Sequence, residues 1–393
     1  MKIALLHLYL ATASGDPRMA LSIAKAFKQE GHTVKVYTAE FNPFFLRHLH
    51  GGLDIVEVSP GVSLKTVLSA SGIINKIIER VRRSRLYNRA VKGIFEKMDK
   101  DFDFVFCEND YTYKVGVSYK KINPKARVVW LMNNPPFYHS RKKNLIEDIF
   151  SRIIDSWEKV LAWWYSSGID WAIVYDRDNL KKTESIGIKA KLVSNPLDFD
   201  YFYGPVRDVS KNQEIQLLSV GALSPFRRFE DIVTAVSILR KEGYKVKALI
   251  ICKDYWSDAS YTNSFIKFID DSGVRDFIEI NLKGASEEEM LKALQTSHVS
   301  VVPNSAKVWV ATACEAMAHG LPLVISRATS MVEALRDGKE ALFFEPHAPH
   351  EIASRIKALL DKPFFYKEIA SGGQNYVKNN LSFNSFIRQI CEE

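Results

Sequence analysis

The sequence predicts two consecutive doubly wound α/β domains with a cleft between them, and three observations carry that prediction. Apolar runs of strand length alternate with segments of helical spacing along the chain. The polar ends of those runs fall on their C-terminal sides, where open parallel sheets bind ligands. The alternation stops in a turn-rich stretch near residue 200 and then restarts, and 393 residues are enough for two cores but too many for one.

"KIALLHLYLA" (2–11) is a continuous apolar run of the kind a strand buried on both faces shows. "DPRMALSIAKAFKQEGH" (16–32) takes up helical spacing, with Asp16 as N-cap, Pro17 as first helical residue and Gly31 as its stop. "TVKVYTA" (33–39) completes a β-α-β unit, so a parallel sheet begins at residue 2. Strands at 103–109, 126–134, 171–176 and 190–196 continue it between helical segments. After the turn formers of "LDFDYFYGPVRDVSKNQ" (197–213), strands are expected at 214–223, 245–252, 278–282, 299–304 and 322–327. Helices at 229–243, 261–273, 286–297 and 310–320 separate them. The domains therefore span 1–204 and 205–370. A closing segment, 371–393, ends in the amphipathic "FNSFIRQICEE" and is expected to pack back on the first domain.

Composition narrows the partners. With 47% hydrophobic and 25% charged residues the chain is globular, and its net charge of +8 favours anionic partners such as nucleotides, phosphates or an acidic membrane surface. Cys107, Cys252, Cys314 and Cys391 lie far apart, so neither a disulfide framework nor a zinc knuckle is indicated, and a reduced, cytoplasmic compartment is the simplest expectation. The opening "MKIALLHLYLATASG" imitates a signal peptide, but a strand, glycine turn and helix explain the same residues. No apolar run approaches the ~20 residues needed to span a bilayer; "VLAWWYSSGI" (160–169) is about half that. "HLH" (48–50) and "HAPH" (347–350) lack a carboxylate or Cys partner at ligand spacing, so no metal site is expected. The glycine-rich dinucleotide fingerprint and the P-loop are both absent, and no nucleic-acid partner is expected.

One segment carries the chemistry. In "ACEAMAHGLPLV" (311–322) small side chains at Ala311, Ala313, Ala316 and Ala318 let a helix pack closely on a sheet, and Gly320 with Pro322 stops it. Glu315 stands alone among them. Two readings are open: a carboxylate facing solvent, or an acceptor-only group suited to two neighbouring hydroxyls, as on a ribose. The helix start near Trp309 and Val310, with free N–H groups and the positive dipole end, suits a diphosphate.

"CEAMAHGLPLV" followed by "EALRDGKEALFFEP" (333–346) resembles the donor-binding signature of retaining family 4 glycosyltransferases. "GDPRMALSIAKAFKQEGHTVKVYT", "VSNPLDFDYF" (193–202), "LLSVGALSPFRRFEDIVTAV" (217–236) and "LKGASEEEMLKALQTSHVSVVPNS" (282–305) fit it in order, over nearly the whole chain and most strongly from 190 to 350. The resemblance implies the GT-B fold, two Rossmann-like domains with an interdomain cleft. It places the acceptor on the first domain and the nucleotide-sugar donor on the second. Glu315 matches the second Glu of the E-x7-E motif, which holds the donor ribose. Arg227 matches the basic residue that grips the diphosphate, with Arg228 a weaker candidate, and a guanidinium fork suits phosphate oxygens. Gly15 matches the glycine loop near the phosphates or acceptor, Glu333 the sugar or cleft rim, and the backbone near Lys253 and Lys283–Gly284 the border of the base.

Two departures from the pattern matter. Lys307 stands eight residues before Glu315, where the family usually has Glu on the transferred sugar, and Ala222 stands where an Arg for the diphosphate is common. "KVWVA" also lacks the usual glycine-aromatic-glycine turn. Lys307 reads either as an exposed loop lysine or as an ammonium that supplies the charge lost at Ala222 or contacts an acidic sugar.

In the first domain, "CENDYTY" (107–113) and "MNNPPFYH" (132–139) lie at sheet ends. Glu108, Asp110, Asn133, Asn134 and His139 are acceptor-site candidates that serve equally as turn and cap residues. No catalytic residue is assigned; Lys307, Glu108 and Asp110 are the candidates. "KIIERVRRSRLYNRAVK" (76–92) carries seven Lys or Arg against one Glu, and reads equally as a solvated face or as a dock for an anionic membrane at its inner, cytoplasmic side.

The expectation is a hexosyltransferase-like enzyme of polysaccharide or glycolipid biosynthesis, moving a sugar with retention from a nucleoside-diphosphate-sugar to a lipid-linked or saccharide acceptor without a required metal. The alternatives are an epimerase or phosphorylase of the same fold and a catalytically silent sugar-nucleotide-binding partner.

Overall fold

The computed structural model describes residues 1–12, 15–58, 73–108, 111–132, 145–210, 212–253 and 259–391; for residues 73–81, 83, 145–147, 150–151, 253, 259 and 391 it describes the backbone. Asp110, Asn133, Asn134 and His139 lie outside the described residues.

The chain divides into two compact units, residues 1–196 with 386–393 and residues 197–385. In the first, the elements run β1 (Lys2–Leu10), α1 (Gly15–Gln29), β2 (Thr33–Phe41), α2 (Arg47–His50), β3 (Asp54–Glu57), α3 (Ile73–Lys97), β4 (Phe104–Glu108), α4 (Tyr113–Ile122), β5 (Arg127–Leu131), α5 (Leu145–Tyr165), β6 (Trp171–Val174), α6 (Arg177–Glu184) and β7 (Ala190–Leu192). The strands form one parallel sheet in the order β3-β2-β1-β4-β5-β6-β7.

The second unit begins with α7 (Phe199–Phe202), β8 (Ile215–Ala222), α8 (Phe229–Lys241), β9 (Val246–Lys253), α9 (Ala259–Asp271), β10 (Ile278–Asn281) and α10 (Glu287–Thr296). It continues with β11 (Val299–Val302), α11 (Ala311–Ala318), β12 (Leu323–Ser326), β13 (Leu342–Phe344), α12 (Pro349–Asp361), α13 (Pro363–Asn380) and the start of α14 (Phe383–Cys391). Its sheet, also parallel, has the order β10-β9-β8-β11-β12-β13.

Both sheets therefore reverse their strand order between the first strand and the fourth: β1 lies beside β4, and β8 beside β11. Chains leave these neighbours in opposite directions, which opens a crevice at their C-terminal ends. The apolar runs of the sequence become strands buried on both faces. Ile3, Ala4, Leu5 and Leu6 are fully buried in β1, as are Leu323, Val324 and Ile325 in β12.

Local chemistry explains several element ends. Ser286 and Glu289 form a reciprocal capping box, with Glu289 N–H donating to Ser286 Oγ at 3.2 Å and Ser286 N–H to Glu289 Oε2 at 2.7 Å. Asp176 caps α6 by accepting from Asn179 N–H at 2.8 Å. Asp16, expected as an N-cap, instead lies inside the first turn of α1, which starts at Gly15. Two strands were not expected, β3 and β13; each is an edge strand of four and three residues, too short for a pattern of its own, and pairing with β2 and β12 creates it.

Helix α13 runs through Gly372 and Gly373, poor helix formers in isolation. Packing requires them: a Cβ at Gly372 would lie 2.1 Å from the Lys339 carbonyl oxygen, and one at Gly373 3.0 Å from that of Glu340.

Candidate functional site

The loops after β8 and β11 leave the reversal point of the second sheet, and they carry most of the predicted residues. Pro225–Arg227 form a single 3-10 turn, held to the other loop by Ser305 N–H donating to the Phe226 carbonyl at 2.8 Å. Arg228 then takes a left-handed conformation, φ 54°, that starts α8. Arg227 lies back over the end of β8. A Cβ at Gly221 would sit 3.0 Å from its Nε, so the missing side chain of Gly221 makes the seat for the guanidinium. Partial burial pulls the Arg227 pKa below the usual arginine value, because water is removed from the charged group.

Arg227 Nε, Ser224 Oγ and Asn304 Nδ2 are buried and have no hydrogen-bond partner among the described residues. Buried polar atoms in native proteins are nearly always paired, so three such atoms on the two loops of one reversal point mark a place for a polar ligand.

Helix α11 follows. Its N-cap, Val310, is extended and has no side chain that could cap, so the first N–H groups keep their donors and the positive end of the dipole. Glu315 is fully buried on this helix and does not face solvent. Trp309 packs on the core formed by Ala313, Cys314, Ala316 and Met317. Burial, and then the charge of Glu315, pushes the Cys314 thiol upward. The far end of α11 is clamped: His319 Nδ1 lies 2.9 Å from the Phe202 carbonyl, and Gln374 Nε2 donates to the carbonyls of Gly204 at 2.8 Å and Ala318 at 2.9 Å. These contacts set the height of Glu315 on the sheet.

Two candidates are placed differently from the expectation. Lys307 is exposed, but its ammonium lies 2.7 Å from Glu333 Oε1, so it neutralises a carboxylate rather than replacing the charge absent at Ala222. Arg228 turns back onto α8, with Nη2 at 2.6 Å and Nε at 3.1 Å from the two Asp231 oxygens, a bidentate pair that raises its pKa. The geometry thus separates Arg227 from its neighbour.

The first unit has its own constellation at its reversal point. Gly15 opens α1, and among the described residues a Cβ there would meet nothing within 4 Å. Glu108 ends β4 and is fully buried. Tyr175, just after β6, is pushed well above the usual phenol range by burial, with Glu108 and Asp16 adding negative charge. Asp16 retains accessible surface at a crowded sheet end, and loss of surrounding water raises its carboxyl. Asp16 and Tyr175 were not foreseen as site residues; a polar group just past a predicted strand was the available signal. His50, in α2, is engaged by the Pro43 carbonyl at 3.2 Å, a loop role.

Comparison with known proteins decides the class of the second unit. Residues 206–376 match the family described as Glycosyl transferases group 1. This segment is a group 1 glycosyltransferase domain. The group 1 domain contains Gly221, Arg227, Asn304, Lys307, Glu315 and Glu333.

Among curated proteins, the chain is 29% identical over 124 residues to the MMP alpha-(1->4)-mannosyltransferase of Mycolicibacterium hassiacum, covering 31% of this chain and 30% of that protein. It is 24% identical over 143 residues to the D-inositol 3-phosphate glycosyltransferase of Corynebacterium glutamicum, 36% and 34% of the two chains. The matched stretches thus span about a third of these relatives.

Several solved structures match over the full chain. The Anabaena protein Alr3699/HepE in complex with UDP and glucose has a TM-score of 0.72 at 16% identity, covering 100% and 98%. Sucrose-phosphate synthase of Thermosynechococcus elongatus has 0.71 at 14%, covering 100% and 97%. At these identities the likeness shows the fold, the GT-B architecture of two α/β sheets.

Proposed function

We propose that the protein is a retaining family 4 glycosyltransferase that moves a sugar from a nucleoside-diphosphate-sugar to a saccharide or lipid-linked acceptor. The observation that carries this reading is the arrangement in the group 1 domain: a half-buried guanidinium, an uncapped helix start and a buried Glu315 around one sheet reversal. Arg227 and the N-terminus of α11 stabilise the negative charge that grows on the departing diphosphate, and Glu315 accepts from the ribose hydroxyls. This set is cationic enough to act without a divalent ion. Activity that vanishes with chelator and returns only with Mg²⁺ or Mn²⁺ would count against that part.

The first unit binds the acceptor, with Glu108 and Gly15 at its sheet ends. Complexes of Alr3699/HepE with UDP and with UDP-glucose support a nucleotide-sugar as donor for this fold.

One observation favours a second reading. The Lys307–Glu333 pair stands where the family pattern places an acid on the sugar, which suits a catalytically silent sugar-nucleotide-binding partner. Calorimetry with several nucleoside diphosphates, followed by a donor hydrolysis assay, separates the two. Binding with turnover supports the transferase; binding without any turnover supports the silent partner; binding of none sinks both.

A further inference from the structure

Helix α5 carries a face that the described residues leave bare. Ile149, Ile153, Trp157, Val160, Trp163 and Trp164 are exposed by 50, 61, 63, 52, 59 and 73%. At 3.6 residues per turn they fall within an arc of roughly 120°. The opposite side is what the protein buries: Ala162 and Tyr165 pack on the first unit's core. Six large apolar groups in one stripe are unlike the scattered exposed apolar residues that need no explanation.

The charges around the stripe select its occupant. Among the described side chains, the exposed polar ones on this arc and its edge are Ser156, Arg152 and Lys159; Asp148 is buried against Arg152, and Asp155 and Glu158 lie toward the packed side. Helices α3 and α5 both pack on the sheet face that holds α4, with Ala90, Ile94 and Ala162 in one core. Lys114 of α4 lies between them, donating to Asn88 of α3 at 3.2 Å and feeling the charge of Glu158 of α5. Helix α3 exposes Arg82, Arg85, Arg89 and Lys92. A bare aromatic and aliphatic stripe thus lies beside a basic helix.

We propose that α5 lies in the headgroup region of an anionic bilayer, with its tryptophans at the polar–apolar boundary and the α3 cations on lipid phosphates. Tryptophan favours that boundary because its ring is apolar and its N–H is polar. Cations next to an apolar face are what binds an amphipathic helix to anionic lipid. A second copy of the chain would instead bring two cationic rims together. No described helix is long and apolar enough to cross a membrane. The proposal rests on the reading of the function only for its purpose, which is to bring the active site to a membrane-held acceptor.

The test is flotation of the full chain with phosphatidylcholine vesicles, with and without about 30 mol% phosphatidylglycerol. The wild type is expected to partition at least tenfold better to the anionic vesicles, with a blue shift of tryptophan emission. Trp157→Ser with Trp163→Ser and Trp164→Ser should lose at least tenfold, while melting temperature and nucleotide affinity stay as in the wild type. Arg85→Glu with Arg89→Glu should remove the preference for anionic lipid, at roughly fivefold per cation. The proposal is overturned if the wild type floats with neither vesicle, if it ignores lipid charge, or if the Trp variant binds like the wild type. A dimer that the Trp variant abolishes, or tryptophan emission that responds to oligosaccharide and not to vesicles, overturns it in favour of those occupants. Because nucleotide affinity is read separately, failure to dock and failure of the transferase reading give different results.

Discussion

The two units are built on the same plan yet present different chemistry at the same place. Each has a parallel sheet reversing between its first and fourth strands, with polar residues at that reversal. In the group 1 domain the reversal gathers a guanidinium, a helix start and buried donors that lack partners among the described residues. In the first unit the sheet ends gather oxygen groups, Asp16, Glu108 and Tyr175, and burial raises the Asp16 carboxyl and the Tyr175 phenol. One pole suits a diphosphate; the other suits hydroxyls and a proton. A fold that repeats its topology can thus present different chemistry at equivalent places by changing the residues at its sheet ends.

The contrast can be broken most directly at Arg227. Arg227→Ala should lower kcat/KM by about 10²–10³-fold, or roughly 3–4 kcal/mol, with little change in melting temperature. Kinetics with saturating acceptor read this, and an unchanged rate would remove the diphosphate role. Glu108→Gln comes next: it should depress turnover by about 10²-fold while leaving nucleotide affinity intact, since the proposed function places the donor on the other unit. An equal loss of nucleotide affinity would end the division of labour.

Glu315→Gln should weaken nucleoside diphosphate binding by about tenfold, as a charged hydrogen bond becomes a neutral one. Binding to a deoxyribose analogue should be affected less. Gly221→Ala brings a Cβ to 3.0 Å from Arg227 Nε and should displace it, giving about tenfold loss in kcat/KM with folding retained. The gentlest change is Lys307→Met, expected to alter nucleotide affinity less than about threefold because its charge is already paired by Glu333.

A pH series sharpens the same comparison. His7 in the first unit and His298 in the second each accept a backbone N–H at Nδ1, at 3.0 and 3.1 Å. Burial lowers them to about 3 and about 4. Both folded values are depressed, so the unfolded chain binds more protons below the ordinary histidine range. Their contribution is intact above about 6.5 and is lost as pH falls through it toward 4. Melting temperature should drop over that interval, and His298→Gln should flatten part of the drop. A melting temperature independent of pH from 7 to 4 would contradict both placements.

The sequence pattern shows both sheets almost strand for strand, because strands buried on both faces appear as unbroken apolar runs. The edge strands β3 and β13 were illegible, since three or four residues set no period and only a neighbour defines them. In the site, Glu315 and Arg227 were legible as residue types in a pattern. Their environments were not.

By itself the sequence determined the class of architecture, the two-core organisation and the group of residues proposed here for a donor site, since periodicity and motif spacing are properties of the chain. Tertiary structure decided which of two adjacent arginines is available, that Lys307 meets Glu333, and that Gly221 seats a guanidinium. It also decided that one face of α5 is left bare beside the basic face of α3. Such facts depend on which groups, distant along the chain, come within a few ångströms, and no local pattern encodes that distance.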